Sequence, residues 1–362
     1  MFKILSINPG STSTKIGKFH DDVMLDSKTI IHDASQFDHM HSSMEQLEIR
    51  KRDILKFIEE RGESIEEFDA FAARGGILPP LESGTYIVND AMVDFLKNKS
   101  HMDMDHPSDL GAVIAYDFAK KTNTKAYITD PISTDEFHEL ARISGFADLK
   151  RNSLVHALNM KAVARIIARE IGKPYEQCNF VIAHLGGGFS IGAQRQGKMI
   201  DVNNANEEGP FSPERSGELP MGEVLKMAYS GEYTSKELKN KFTRNSGMKA
   251  YLNTNDLREA YKKAETDPKA MEVIQAMAYQ IGKEIGGMCA VLKGDVDSII
   301  LTGGLAHSVD FVEMIKEYIS SYSLVTVVPG ENELEALATG CLRVLRGEEN
   351  PRTFSFQEVN HS

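Results

Sequence analysis

Three consecutive glycines, Gly186, Gly187 and Gly188, follow His184 and separate two short apolar runs at 180–182 and 190–193. Glycines in such a turn let the backbone take positive φ and bring its N–H groups against a bulky anion with no side chain in the way. That chemistry suits a phosphate; a plain tight hairpin turn is the alternative. The chain makes a comparable turn near its start, Asn8-Pro9-Gly10-Ser11-Thr12-Ser13, between runs at 2–7 and 14–19. Two arginines also stand at turns: Arg74 directly before Gly75-Gly76, and Arg215 within the polar stretch GPFSPERSGELP. A planar guanidinium is the two-toothed partner of a carboxylate or of equatorial phosphoryl oxygens.

The runs that must position these residues follow one order twice. The first half reads as strands at 2–7, 14–19 and 28–32, a helix over 44–58, a strand at 69–73, a helix over 110–121 with Ser108 as its N-cap, and a strand at 125–129 that ends at Asp130-Pro131. A connecting helix over 154–171 leads to the second half. There the strands are 180–182, 190–193 and 199–202, followed by irregular and helical segments and an amphipathic helix over 271–292. A strand at 297–301 runs into Thr302-Gly303-Gly304, then come a helix (309–320), a strand (324–328), the turn Pro329-Gly330 and a last helix from Glu331 to Leu345. The charged tail after Arg346 reads as loose. Duplication of one α/β unit places two phosphate-cradling turns face to face across a cleft, a geometry suited to a nucleotide polyphosphate with hinge closure. The expected domains are 1–132 with 336–362, and 133–335.

Composition bounds the partners. With 362 residues, 41% hydrophobic and 26% charged, the chain is long enough for two ordinary globular domains. A net charge of -12 argues against nucleic acid or an anionic membrane as partner. Cys178, Cys289 and Cys341 are odd in number and far apart, which suits a reducing cytoplasm, and no run reaches the roughly 18 apolar residues of a membrane helix. The histidines and aspartates His32, Asp33, Asp38, His39 and His41 match no regular metal-ligand spacing and read as a solvated loop, as does HMDMDHP at 101–107.

INPGSTSTK, HLGGGFSIG and ILTGGLAHS, in this order, resemble the phosphate and adenosine motifs of the actin/hexokinase/Hsp70 superfamily. Over nearly its whole length the chain resembles the acetate and butyrate kinase family, and ARGGILPP, AHLGGGFS and PGENELEALATG look more like the butyrate kinases. The resemblance implies a duplicated ribonuclease-H-like, actin-like α/β fold, ATP/ADP and Mg2+ as cofactors, and a homodimer or higher homo-oligomer paired through a nucleotide-binding second domain. ERSGELP is similar to the family's TRCGDIDP, so Arg215 would hold the substrate carboxylate and stabilise the transition state. Arg74 would be its partner, although the family carries that arginine a few residues earlier; a structural ion pair is the other reading. By the same resemblance His156, in LVHALNMK, would donate to the transferring phosphoryl, and His184 would lie near phosphate or behind it. Asp130, in TDPISTDEFH, would organise Mg2+ and its waters, or simply form the turn. Asn8 and Glu333, the latter chosen from Glu331, Glu333 and Glu335, would complete the outer coordination of the metal, since Mg2+ keeps most of its water. Ser11 and Ser13 belong to the first loop, and Gly303 and Gly304 would let the backbone approach adenosine and the α-phosphate.

Where acetate kinases line the acetyl methyl with valine and phenylalanine, this chain has the smaller Ala73 and Val155, which favours butyrate or isobutyrate over acetate. The implied reaction is reversible ATP-dependent phosphorylation of a short-chain fatty acid. An acetate or propionate kinase, a sugar kinase with a carboxylate base, and a non-catalytic actin-like nucleotide switch are the alternatives.

Overall fold

The computed structural model describes residues 1–33, 36, 37, 40, 42–98 and 106–355. The chain separates into two compact units, residues 1–134 with 332–362, and residues 135–331. This division carries Glu333 and the helix it begins into the first unit. No helix among the described residues is long and apolar enough to cross a membrane.

The first unit is built on strands β1 (Lys3–Pro9), β2 (Ser13–His20), β3 (Val23–Ile31), β4 (Ala70–Ala73), β5 (Thr85–Ile87) and β6 (Lys125–Thr129). Its helices are α1 (Leu47–Glu59), α2 (Asp90–Asn98) and α3 (Asp109–Thr122). The second unit contains α4 (Glu139–Arg142), α5 (Ala157–Glu170), β7 (Asn179–Leu185), β8 (Phe189–Arg195), β9 (Lys198–Val202), four helices α6–α9 (Met221–Ala228, Ser235–Arg244, Gly247–Leu252, Leu257–Ala264), α10 (Pro268–Val291), β10 (Ser298–Gly303), α11 (Val309–Ile319) and β11 (Val325–Pro329). The chain then returns to the first unit as α12 (Glu333–Leu345) and β12 (Arg352–Thr353).

The sheet orders are β12-β5-β6-β4-β1-β2-β3 and β11-β10-β7-β8-β9. In both, the first strand pairs antiparallel with the second and parallel with the fourth, and a further parallel strand follows. The expected duplication is therefore present strand for strand. β5 and β12 extend the first sheet at one edge, β12 running parallel to β5. As far as residue 355 the tail is not loose as expected: Phe354 is buried, its ring lies 6.0 Å from that of Phe95, and Asn89 donates to its carbonyl.

Strand parity decides which helix each side chain meets. In β7, Val181, Ala183 and Leu185 join the core under α10 and α11, while Phe180 and Ile182 join the core under α5. His184 therefore falls on the α5 side. In β1, Leu5 and Ile7 enter the core formed with α1 and α3, and Ser6 and Asn8 face α12, Ser6 Oγ donating to the Leu334 carbonyl. α10 starts at an N-cap, Asp267, whose side chain accepts from Lys269 N–H, with Pro268 in the first turn. Ser108 stands at the N-cap position of α3 as expected, but its side chain makes no capping bond to the helix; its hydroxyl lies 2.7 Å from His106 Nδ1 instead.

Candidate active site

In the first unit, Asn8, Arg74 and Glu333 come together. Asn8 precedes the first hairpin turn, and Arg74 follows the last residue of the neighbouring parallel strand β4. Glu333 opens α12 behind Asn332, whose φ of 45° turns the chain into the helix. Arg74 Nη1 donates to Glu333 Oε1 at 2.8 Å and Asn8 Nδ2 donates to Oε2. Glu333 is only 6% exposed, so its charge is held by these two partners. The Asn8 amide is fixed by that bond, and its Oδ1 accepts nothing from the protein among the described residues.

Asp130 is buried at the end of β6 with a φ of 41°, a conformation that costs a non-glycine residue about 1 kcal/mol or more. Its Oδ1 accepts from Gly84 N–H at 2.8 Å, and its own N–H donates to the Gly84 carbonyl. Asp130 therefore fastens the 84 turn to the strand end. Ser11 and Ser13 sit at the first hairpin tip, closed by Gly10 N–H to the Ser13 carbonyl at 2.7 Å. Ala73 is fully buried in the core of this unit.

In the second unit, His156, His184, the glycine triplet and Arg215 form one group. His156 opens α5, and its ring stacks on His184 with centroids 4.1 Å apart and planes at 11°. His184 is 1% exposed and its Nδ1 lies 2.7 Å from Asn159 Oδ1. Asn159 Nδ2 donates to the Glu331 carbonyl at 2.7 Å, which turns the amide oxygen toward the ring. His184 thus carries a proton on Nδ1, and Nε2 is the nitrogen nearest Gly186.

None of Gly186, Gly187 and Gly188 takes a left-handed φ, contrary to the sequence expectation. What the missing side chains leave is room for the neighbouring polar groups. A Cβ on Gly188 would lie 2.5–2.7 Å from the Arg215 guanidinium, and one on Gly186 would lie 3.3 Å from His184 Nε2. Gly303 needs both properties: its φ is 91°, and a Cβ would lie 2.6 Å from the Leu185 backbone. Gly304 is exposed, with open space where a Cβ would be. Val155 is buried in the core under α5.

Arg215 is half-buried, and no hydrogen bond or ion pair to its guanidinium is formed among the described residues. Burial pulls its pKa below the usual arginine range, opposed by Glu214 and assisted by Arg244. The carboxylate of Glu214 is itself engaged by Asn255 Nδ2 at 2.6 Å. The loop that carries Arg215 is tied to the glycine turn, since Ser212 Oγ donates to the Gly187 carbonyl at 2.6 Å. A desolvated cation packed flat on a side-chain-free turn is a ready site for an anion.

Asn159 and Ser212 were not singled out in the sequence. Both are polar and buried, and Asn159 interrupts the apolar stripe of α5, a signal that the sequence does carry. Among the described residues no cluster of three or more His, Cys, Asp or Glu stands ready to hold a metal. Asp38, His39 and His41, and residues 101–105, lie outside the described residues. His32 is 4% exposed rather than solvated, with Nε2 2.9 Å from Thr14 Oγ1.

The acetokinase family model matches residues 149–329. A relative from Thermotoga petrophila, named a probable butyrate kinase, is 50% identical over 354 residues, covering 98% of this chain and 99% of its own. A second, from Thermotoga maritima, named probable butyrate kinase 1, is 51% identical over 349 residues, covering 96% and 97%. Among solved structures, the Porphyromonas gingivalis acetate kinase matches with a TM-score of 0.79 at 18% identity, covering 95% of this chain and 100% of that one. A Francisella tularensis propionate kinase matches with a TM-score of 0.75 at 16% identity, covering 94% and 99%. At these identities the solved structures speak for the fold.

Proposed function

From the premise that this chain belongs to the acetokinase family, we propose that it is a butyrate kinase, reversibly transferring the γ-phosphoryl group of ATP to the carboxylate of a short-chain fatty acid. Butyrate is the preferred substrate, and isobutyrate is accepted. The observation that carries this reading is the half-buried guanidinium of Arg215, unpartnered among the described residues and lying on the Gly188 backbone.

The acid is already ionised at neutral pH, so no general base is required. A carboxylate oxygen attacks the γ-phosphorus in line, the new O–P bond forms as the bond to the β-phosphate oxygen breaks, and ADP leaves. Arg215 neutralises charge on the carboxylate and the equatorial oxygens. His184, oriented through Asn159, and the stacked His156 hold polar hydrogens near the glycine turn.

Mg2+ suits the first unit, because it keeps most of its waters and needs few protein ligands. Asn8 Oδ1, which has no donor among the described residues, and the carboxylate of Glu333 would hold that water shell, with Asp130 as a further contributor. When bound, the ion supplies charge neutralisation on the phosphates. Arg74 serves by holding Glu333 and is available to the substrate carboxylate when that pair opens. The small side chains of Ala73 and Val155 favour an acyl chain longer than that of acetate.

The chain is read as a cytoplasmic homo-oligomer. Its three cysteines are buried and unpaired, and Met221, Leu225 and Tyr229 on and beside α6 expose apolar surface on the second unit.

The test is acyl hydroxamate trapping with MgATP over linear and branched acids of two to five carbons. A kcat/KM highest for butyrate is expected. No hydroxamate from any acid would end the reading, and acetate used as well as butyrate would remove the assignment of chain length.

A further inference from the structure

Arg50 lies on the buried stripe of α1 beside Ile54, Phe57 and Ile58, and it is 0% exposed. A guanidinium taken out of water costs several kcal/mol unless its donors are used. Here they are used on a turn. Nη1 donates to the Ser13 carbonyl and Thr14 Oγ1, both at 2.9 Å, and Nη2 donates to the carbonyls of Gly10 at 2.9 Å and Ser11 at 3.3 Å. Gln46 Oε1 takes Nε at 3.0 Å and Nη2 at 2.8 Å, steadying the fork from the other side. No carboxylate accepts a hydrogen bond from it among the described residues.

A buried cation is thus balanced mainly by the carbonyl oxygens of residues 10, 11 and 13. Two consequences follow for the hairpin tip. With these carbonyls drawn inward, the amide N–H groups of Ser11 and Thr12 find no protein acceptor among the described residues. The positive charge also sits directly behind the turn, where it raises the potential felt by an anion in front.

We propose that Arg50 is a positioning residue for nucleotide binding: it sets the backbone of the 10–13 turn so that its N–H groups meet phosphate, and it backs them with charge. The proposal rests on reading that turn as a phosphate loop of an ATP-dependent enzyme. Lysine in its place keeps a charge but cannot span the carbonyls of Gly10, Ser11 and Ser13 together.

The experiment compares the full-length wild type with Arg50→Lys and Gln46→Leu, measuring MgADP binding by calorimetry, KM for ATP, KM for butyrate and thermal unfolding. For a folded Arg50→Lys protein, nucleotide affinity falls and KM for ATP rises by about tenfold or more, while KM for butyrate stays within about twofold. Gln46→Leu loosens the fork without touching the turn, so it carries the test where Arg50→Lys does not fold; a rise of about threefold in KM for ATP is expected. A folded variant with a lowered unfolding temperature and unchanged nucleotide affinity would make Arg50 a core residue only and overturn the proposal. Wild-type protein that binds no MgADP would instead remove the reading of the turn itself.

Discussion

Arg74 and Glu333 form an ion pair at 2.8 Å that joins the end of β4 to the first turn of α12, with Asn8 on the second carboxylate oxygen. One buried carboxylate therefore links the hairpin strand, the adjacent parallel strand and the returning helix. Removing either partner leaves the other charged and poorly solvated. Arg74→Met is expected to destabilise the protein by about 1–3 kcal/mol, below the fully buried case because Arg74 is 24% exposed. The double variant Arg74→Met/Glu333→Leu should recover most of that stability in denaturant unfolding, because an apolar pair of similar size replaces the ions. Its acyl hydroxamate activity should stay about a hundredfold or more below wild type. Wild-type activity in the double variant would reduce the pair to scaffold.

Arg215 has the opposite profile. Its guanidinium is partly desolvated and balanced by no protein acceptor among the described residues, so its charge costs stability in the free protein. Arg215→Met should unfold at the wild-type temperature or above it while kcat falls about 10²–10³-fold. A variant that loses stability in step with activity would show a structural role.

Glu284, on α10, offers a test by pH. Burial pushes its pKa up to about 7, with Glu218, Asp201 and Glu208 adding to the rise and Arg151 opposing it. Because the folded value lies above the unfolded one, the folded chain holds the extra proton between the ordinary glutamate range and about 7. The associated stability is present at low pH and is lost as pH rises through that window. Glu284→Gln should therefore be more stable than wild type at pH 8, by on the order of 2 kcal/mol, and nearly equal to it at about pH 4.5. Melting curves across that range check the sign, and a gain that grows on acidification would contradict it.

The duplicated topology was legible because each half opens with two strands around a small-residue turn, and because strand parity is a local property. Lys125–Thr129 appears at its predicted bounds. The glycine triplet was visible in the sequence as a turn between two strands, but what surrounds it was not. Glycine at 188 leaves room for the guanidinium of Arg215, a residue far along the chain, to lie against the backbone, and its φ is not left-handed. β5 and β12 escaped notice because three- and two-residue strands carry no periodicity of their own and exist through pairing with each other and with β6. Arg50 was hidden by its type: a charge on the apolar stripe of α1 is visible in the sequence, but the turn carbonyls that solvate it are some forty residues upstream.

The first unit is sewn from both ends of the chain, and α12 lies against β1, β4 and β6, with Gly340 packed so closely on Thr129 that a Cβ would overlap its side chain. Residues 135–331 are contiguous and can complete their sheet while synthesis is still under way. The other unit cannot: until residues 333–345 emerge, α12 is missing from β1, β4 and β6 and Glu333 is missing from Arg74. A ribosome-stalled chain ending near residue 330 should carry a protease-resistant second unit and a chaperone-dependent first one.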